Sequence, residues 1–504
     1  MRMTLISRVA MMAGLALLTG ACMSAYDSAE GGYDGYGGYG DTGGDGDQGL
    51  PSDPSTPPAE DEEPPVGEDP SSCNATDAVT LYLSPDDSNS MSSPVQAREA
   101  VLGGFGSLRD VPIRPWEFMN YYAFDYPAAE AGKLRVTPSL MVPRGAEEGE
   151  YTLQIAVTSE ALAPEERAPM NLTLVLDTSG SMAGVAMDML KASSRVIAGS
   201  LAEGDVISMV TWDTANQVIL GGHEVTGAND EILLGEIDAL ESGGGTDLHA
   251  GLTAGYELAL QSYDPARINR IVLVSDGGAN VGVTDIETIG MRAGDSDTDG
   301  IYMVGVGVGS AESYRDDLMD RVTDAGKGAS VFISSEEEAQ RVFGDQFIST
   351  LDVAARNVAV ELEMPPGFSV VRFSGEEIST DPDEVEPQHL APNDTMIFHQ
   401  EIETCAPDEV TDDTAFTVTV RYLDGTSFAS DAVRVQSTFG ELLATPDPLL
   451  LKGAAVFAYA TALQAQQHGT SDGMADAFAA LERAETVNPE DPDLAEIRAV
   501  LEAL

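Results

Sequence analysis

The sequence contains very few basic residues. Its 504 residues include 25 Lys and Arg against 85 Asp and Glu, only four of the basic residues are lysines, and the formal net charge is −60. A surface this acidic repels nucleic acid and anionic lipid head groups. The composition therefore excludes nucleic acid as a partner, and any attachment to a membrane requires a separate anchor.

Long apolar runs are also scarce, and one of them, at the N-terminus, has the pattern of a targeting signal. Arg2 precedes a mostly apolar stretch over residues 6–18, and Thr19-Gly20-Ala21-Cys22 follows. This pattern predicts a secretory signal over residues 1–22 that is too short to span a membrane. Cys22 resembles the lipid-acceptor cysteine of bacterial lipoproteins, which implies an exported chain anchored to the cell envelope, with the outer membrane as the expected site. Ordinary signal cleavage near Ala21 is the alternative.

Cysteine is nearly absent as well. If Cys22 carries lipid, Cys73 and Cys405 are the cysteines that remain. Two such cysteines outside the cytoplasm often form a disulfide bond, and two free thiols are the alternative. Residues 23–77 contain Gly/Tyr repeats followed by Pro- and Asp/Glu-rich sequence, with too few large apolar groups to offset the entropy of ordering. We interpret them as a tether.

One stretch in the middle of the chain combines a buried strand with a row of oxygen-bearing side chains. Residues 171–176 are mostly apolar, and Asp177, Ser179 and Ser181 stand at alternate positions directly after them. Open α/β sheets bind ligands at the carboxyl ends of their strands. Carboxylate and hydroxyl oxygens suit a hard cation, so Mg²⁺ is the expected ion, with Mn²⁺ or Ca²⁺ as alternatives.

This D-x-S-x-S pattern resembles the metal-ion-dependent adhesion site of von Willebrand factor type A domains. Two later segments match the same family in the same order: the Gly-rich loop that ends in Thr246, and the buried strand that ends in Asp276. The resemblance implies that Ser179, Ser181 and Thr246 bind the metal through their hydroxyls. It also implies that Asp177 and Asp276 act directly or through water, and that a partner's Asp or Glu completes the coordination.

Alternating strand and helix patterns over residues 170–351 predict an α/β domain with a doubly wound, mostly parallel sheet. The flanking residues 78–169 and 352–440 have strand patterns that predict one β-sandwich into which this domain is inserted. Residues 441–504 read as a helical cap. The segment RPWEFMNYYAFDYP, residues 114–127, resembles one found in bacterial von Willebrand type A lipoproteins, and we expect its aromatic side chains to lie in the core.

The expected function is binding of a partner protein through the cation, without enzymatic activity. The alternatives are an envelope scaffold whose metal is purely structural and a metal-assisted hydrolase with His249 as general base. His389 and His399 lack further ligands at metal-binding spacing, so we expect them to be ordinary surface histidines.

Overall fold

Three β-sheets organise the part of the chain that the structure describes. The structure is a computed structural model, and it describes residues 77–86, 89–103, 107–278, 300–310, 314–445 and 447–504. These residues all lie in one compact unit, Asp61–Leu504. The predicted signal, Cys22, Cys73 and nearly all of the predicted tether lie outside the described residues.

The strands and helices follow one another in the pattern expected for an inserted domain. The strands are β1 (Val79–Ser84), β2 (Arg135–Met141), β3 (Glu150–Thr158), β4 (Met170–Asp177), β5 (Val206–Trp212), β6 (Asn216–Glu224), β7 (Ile268–Ser275), β8 (Tyr302–Val308), β9 (Ser330–Ile333), β10 (Ala355–Met364), β11 (Phe368–Phe373), β12 (Glu377–Ser379), β13 (Gln388–Leu390), β14 (Thr395–Thr404), β15 (Ala415–Asp424) and β16 (Ser430–Thr438). The helices are α1 (Ser92–Arg98), α2 (Pro115–Tyr121), α3 (Val185–Ser200), α4 (Glu231–Asp238), α5 (Leu248–Gln261), α6 (Asp316–Ala325), α7 (Glu336–Gln340), α8 (Phe347–Leu351), α9 (Phe439–Leu443), α10 (Pro448–Gln467), α11 (Met474–Val487) and α12 (Pro492–Ala503).

The central sheet has the strand order β6-β5-β4-β7-β8-β9. Neighbouring strands are parallel except for β6, which pairs antiparallel with β5. Strands β4 and β7 are buried along their whole length, as expected for a sheet with helices on both faces. Leu174 of β4 packs in a cluster with residues of α3 and α4, while its neighbour Val175 packs in a cluster with residues of α5 and α6. The predicted doubly wound fold is confirmed.

Two antiparallel sheets form the flanking sandwich. One has the order β12-β1-β10-β15-β16, with β13 paired to β10, and the other has the order β11-β14-β3-β2. Each sheet combines strands from before and after the central domain, and apolar side chains of both sheets share one core. The β strands of residues 78–169 and 352–440 therefore belong to one sandwich, and the predicted insertion is confirmed.

The C-terminal helices pack on the aromatic segment that precedes the central domain. Phe118 of α2 is fully buried and meets Tyr459 of α10 edge to face, with ring centroids 5.4 Å apart. Helix α10 is long and apolar enough to cross a membrane by length and composition, but more than half of that stretch, 56%, is buried inside the protein. It is therefore better explained as a core helix, and the aromatic segment lies in the core as predicted.

Two expectations about individual side chains need correction or completion. His399 is not a surface residue: it is 1% exposed, it lies within hydrogen-bond distance of Gln154 (Nδ1 to Oε1, 2.9 Å), and burial lowers its pKa to about 3. His389 is half-buried, and this burial lowers its pKa to about 3, with contributions from Arg356 and Arg270. Cys405 is in a disulfide bond. Its predicted pairing with Cys73 stays a prediction, because Cys73 lies outside the described residues.

Candidate metal centre

The first carboxylate of the candidate site stands at the end of β4. Asp177 is fully buried, and its two oxygens have different partners. Oδ1 accepts a hydrogen bond from the Ser179 backbone N–H at 2.8 Å, and Oδ2 accepts one from the Ser275 hydroxyl at 2.7 Å. Because β4 and β7 are parallel neighbours, Ser275 at the end of β7 reaches Asp177 directly. These two bonds fix the orientation of the carboxylate.

The two serines that follow Asp177 lie side by side. The Oγ atoms of Ser179 and Ser181 are 3.1 Å apart. Between them, the Gly180 N–H donates to the carbonyl oxygen of Gly244 at 3.2 Å. A Cβ atom at position 180 would lie only 3.2 Å from the same oxygen, so glycine allows the two loops to approach.

Thr246 comes from that second, Gly-rich loop and is 1% exposed. Two backbone hydrogen bonds hold the loop just before the threonine. The Gly243 N–H donates to the Thr178 carbonyl at 2.7 Å, and the Gly245 N–H donates to the Thr214 hydroxyl at 2.7 Å. Asp247 then caps α5 by accepting a hydrogen bond from the Ala250 N–H. The predicted helix after Thr246 is therefore present.

Asp276 follows β7 and joins the other residues around one point. Its Oδ1 accepts a hydrogen bond from the Gly278 N–H at 3.1 Å. A Cβ atom built on Gly278 would lie 3.2 Å from Asp276 Oδ1, 4.0 Å from Ser181 Oγ and 4.0 Å from Thr246 Cγ2. Three loops that are distant in sequence therefore meet at this position. The structure brings together all five predicted residues: Asp177, Ser179, Ser181, Thr246 and Asp276.

The buried Asp177 carboxyl group has a raised pKa. Burial raises the pKa of Asp177 to about 7, and the nearby Asp276 carboxylate also raises it, while the hydrogen bonds from Ser179 and Ser275 oppose the shift. A carboxylate in this environment is stabilised by a cation. In the described ranges, no three His, Cys, Asp or Glu residues form a cluster able to hold a metal. A metal here would therefore depend on the hydroxyl oxygens, and this mixture of carboxylates and hydroxyls fits Mg²⁺.

Sequence reasoning missed two residues that support the site. Ser275 holds Asp177, and Asp213 after β5 accepts a backbone hydrogen bond from Asp247 N–H through its carbonyl at 2.9 Å. Both lie at the carboxyl ends of strands in the same sheet, which is the signal that could have identified them.

The central part of this chain is similar to a known domain family. Residues 172–279 match the model of the von Willebrand factor type A domain. The chain is 26% identical to the uncharacterized protein YfbK of Escherichia coli, over 51% of this chain and 45% of that protein. It is 27% identical to the uncharacterized protein sll0103 of Synechocystis, over 44% of this chain and 51% of that protein. The aligned region thus spans about half the length of these relatives.

Similarity extends to an animal protein and to a solved structure. The chain is 25% identical to inter-alpha-trypsin inhibitor heavy chain H2 of Sus scrofa, over 41% of this chain and 22% of that protein. A solved von Willebrand factor type A protein from Catenulispora acidiphila is 17% identical, with a TM-score of 0.45, and the match covers 73% of this chain and 88% of that one. The central domain of this chain is a von Willebrand factor type A domain. Such domains typically mediate protein–protein interaction and are generally not enzymes.

Proposed function

We propose that this chain is an exported, envelope-tethered protein that captures a partner protein through a divalent cation. The observation that carries the proposal is the convergence of the three loops around Gly278, where Ser181, Thr246 and Asp276 meet. In the proposed site Ser179, Ser181 and Thr246 hold Mg²⁺ through hydroxyl oxygens, and Asp177 and Asp276 hold it directly or through water.

The donor set explains why the site would take an outside carboxylate. Three of its five side chains are neutral hydroxyls, so the two carboxylates at most balance the charge of a divalent ion. A bound Mg²⁺ would supply a Lewis-acidic position for an oxygen of the partner's Asp or Glu. The burial of Asp177 and Thr246 keeps water away from one side of the site and strengthens that attraction.

In this proposal, export and the lipid anchor place the binding site at the cell envelope. The predicted signal over residues 1–22 and nearly all of the tether over residues 23–77 lie outside the described residues, and so does Cys22, the proposed lipid acceptor. The proposed partner is then a protein at the cell envelope that presents an acidic side chain.

The decisive experiment compares two serine-to-alanine variants. Ser181→Ala removes one proposed ligand, while Ser471→Ala removes an exposed hydroxyl in the C-terminal region. We expect wild type and Ser471→Ala to retain an envelope protein in Mg²⁺ and release it in chelator, and Ser181→Ala to retain none. Isothermal titration with Mg²⁺ alone tests the metal site independently.

Capture that persists in chelator or in Ser181→Ala would contradict the proposal. If Mg²⁺ binds wild type and raises its melting temperature but no protein is retained, the metal serves an envelope scaffold instead.

A further inference from the structure

A second candidate site lies at the opposite end of the central sheet from the metal centre. A cavity of about 90 Å³ opens where the type A domain meets the sandwich. Arg270 at the start of β7 lines it, whereas Asp276 follows the other end of the same strand. Tyr302 and Lys327 of the type A domain and His389 of the sandwich also line it. A space of this size holds several waters or one small ion.

Arg270 is an unusual residue to bury in this position. Its side chain is 5% exposed and its guanidinium lies over the Tyr302 ring at 4.9 Å. It donates one hydrogen bond, to the Asn269 carbonyl at 3.1 Å, and within the described part of the chain no carboxylate lies within ion-pair distance of it. Burial lowers its pKa to about 10, and the nearby Arg356 contributes to this shift, while Asp352 opposes it. A buried cation without a close counter-ion favours an anion beside it.

Other cations gather at the same place. The Arg356 guanidinium also lies over the Tyr302 ring at 4.9 Å, and it donates to the Tyr302 hydroxyl and to the Gly425 carbonyl. Lys327 lines the cavity too, with a φ of 50° in the left-handed region that places it in a tight turn. Three of only 25 basic residues in a chain with a net charge of −60 thus converge here.

His389 adds a neutral donor. Its Nδ1 accepts a hydrogen bond from the Asn357 backbone N–H at 3.3 Å, which leaves the ring proton on Nε2. Burial lowers the pKa of His389 to about 3, with contributions from Arg356, Arg270 and Lys327, so the ring stays neutral. Nε2 has no hydrogen-bond partner among the residues that the structure describes.

We propose that this cavity binds a small oxyanion, of the phosphate, sulfate or carboxylate class, held by Arg270 with help from Lys327. The nearby carboxylate, Asp352, balances only one of the arginines. Asp394 also lines the cavity, and burial raises its pKa to about 6, which favours its neutral form. Because the lining comes from both domains, a bound oxyanion stabilises their junction.

The test is a titration of the full chain in metal-free Tris–chloride buffer with inorganic phosphate, sulfate and acetate in separate arms. Omitting carboxylate chelators keeps them from competing, and omitting metal keeps the metal centre out of the result. We expect saturable binding of at least one oxyanion, seen as a rise in melting temperature and, for phosphate, as broadening of the ³¹P resonance. The anion that binds with the highest affinity identifies the class of oxyanion.

Variants then locate the binding. Arg270→Gln should weaken it by about 10- to 100-fold, because a charge-assisted contact is lost. Lys327→Gln changes an exposed side chain and should weaken binding without affecting folding, which keeps the test valid if Arg270→Gln does not fold. Lys191→Gln is the matched control at a lysine outside the cavity and should leave oxyanion binding unchanged. Absence of saturable binding in all three arms, or equal weakening in Lys191→Gln and Lys327→Gln, would overturn the proposal.

Discussion

Replacing Asp177 by asparagine gives the sharpest test of whether this buried acid is built for a cation. The Asp177 carboxylate is fully buried beside Asp276, and burial raises its pKa from 3.8 to about 7. A carboxyl group whose pKa is higher in the folded than in the unfolded state destabilises the fold once the pH exceeds its unfolded pKa. Asparagine removes that charge and keeps nearly the same shape.

The magnitude follows from the pKa and the two hydrogen bonds. A shift of about three pKa units corresponds to roughly 4 kcal/mol at pH 8, as an upper limit. Asparagine can accept from Ser179 or Ser275 but not from both as the carboxylate does, which costs about 1 to 2 kcal/mol. We therefore expect Asp177→Asn to be more stable than wild type by roughly 2 kcal/mol without metal. With Mg²⁺ at a hundred times its Kd, wild type gains about 2.7 kcal/mol and the variant gains nothing, so the order reverses.

The assay is thermal unfolding at pH 8 in metal-free buffer and in excess Mg²⁺. Asp188→Asn, which neutralises an exposed carboxylate on α3, is the control and should respond to Mg²⁺ as wild type does. If Asp177→Asn is less stable than wild type without metal, Asp177 is a structural hydrogen-bond acceptor. An equal response of wild type and Asp177→Asn to Mg²⁺ would falsify the metal assignment.

Three further variants test stability away from the candidate metal site. Gly235→Ala in α4 should stabilise the protein by about 0.5 to 1 kcal/mol, because the added methyl meets nothing within 4 Å. Gly255→Ala in α5 should lower the free energy of unfolding by about 1 to 3 kcal/mol, because the methyl would lie 2.3 Å from Val175 Cγ2. Urea denaturation measures both variants, and equal effects at the two glycines would contradict the helix packing. Burial raises the pKa of Asp394 to about 6, so its charged form destabilises the fold once the pH exceeds the unfolded pKa. Asp394→Asn should therefore be more stable than wild type by at most roughly 3 kcal/mol at pH 7.5, and equally stable near pH 4. Chemical unfolding across this pH range checks it, and a constant difference would refute it.

The strands and the parallel sheet could be predicted because burial on both faces leaves a direct mark on the sequence. The core strands β4 and β7 are mostly apolar and end in Asp177 and in Ser275-Asp276. The insertion in a sandwich could also be predicted, since the strand patterns on both sides needed partners. Pairing itself was not visible: β1 lies beside β10, with Leu81 opposite Leu362, although 281 positions separate them, and no local pattern encodes such a contact.

The candidate site was predictable for the residues that match a spaced pattern and not for those that act through tertiary contacts. Asp177, Ser179 and Ser181 are close in sequence, whereas the hydrogen bond from Ser275 to Asp177 depends on two strands being neighbours. The burial of His399 also depends on a tertiary contact that the sequence does not show. His399 was expected at the surface because no further ligands stand at metal-binding spacing around it, but β14 is covered by α10, whose Phe457 packs against the His399 ring with centroids 5.7 Å apart.

The role of the aromatic segment before the type A domain also becomes clear only from tertiary contacts. Arg114 forms an ion pair with Asp316 at the start of α6, 2.8 Å apart, and Gln96 of α1 donates to the other oxygen of that carboxylate at 2.8 Å. The neighbouring Arg315 N–H donates to the Asp276 carbonyl at 3.1 Å. A Cβ atom at Gly277, whose φ is +81°, would lie 2.4 Å from the Arg315 carbonyl oxygen. The turn after Asp276 therefore packs tightly against the residue that precedes α6. The flanking helices therefore hold the chain that positions Asp276, and the candidate metal site depends on residues that precede the domain.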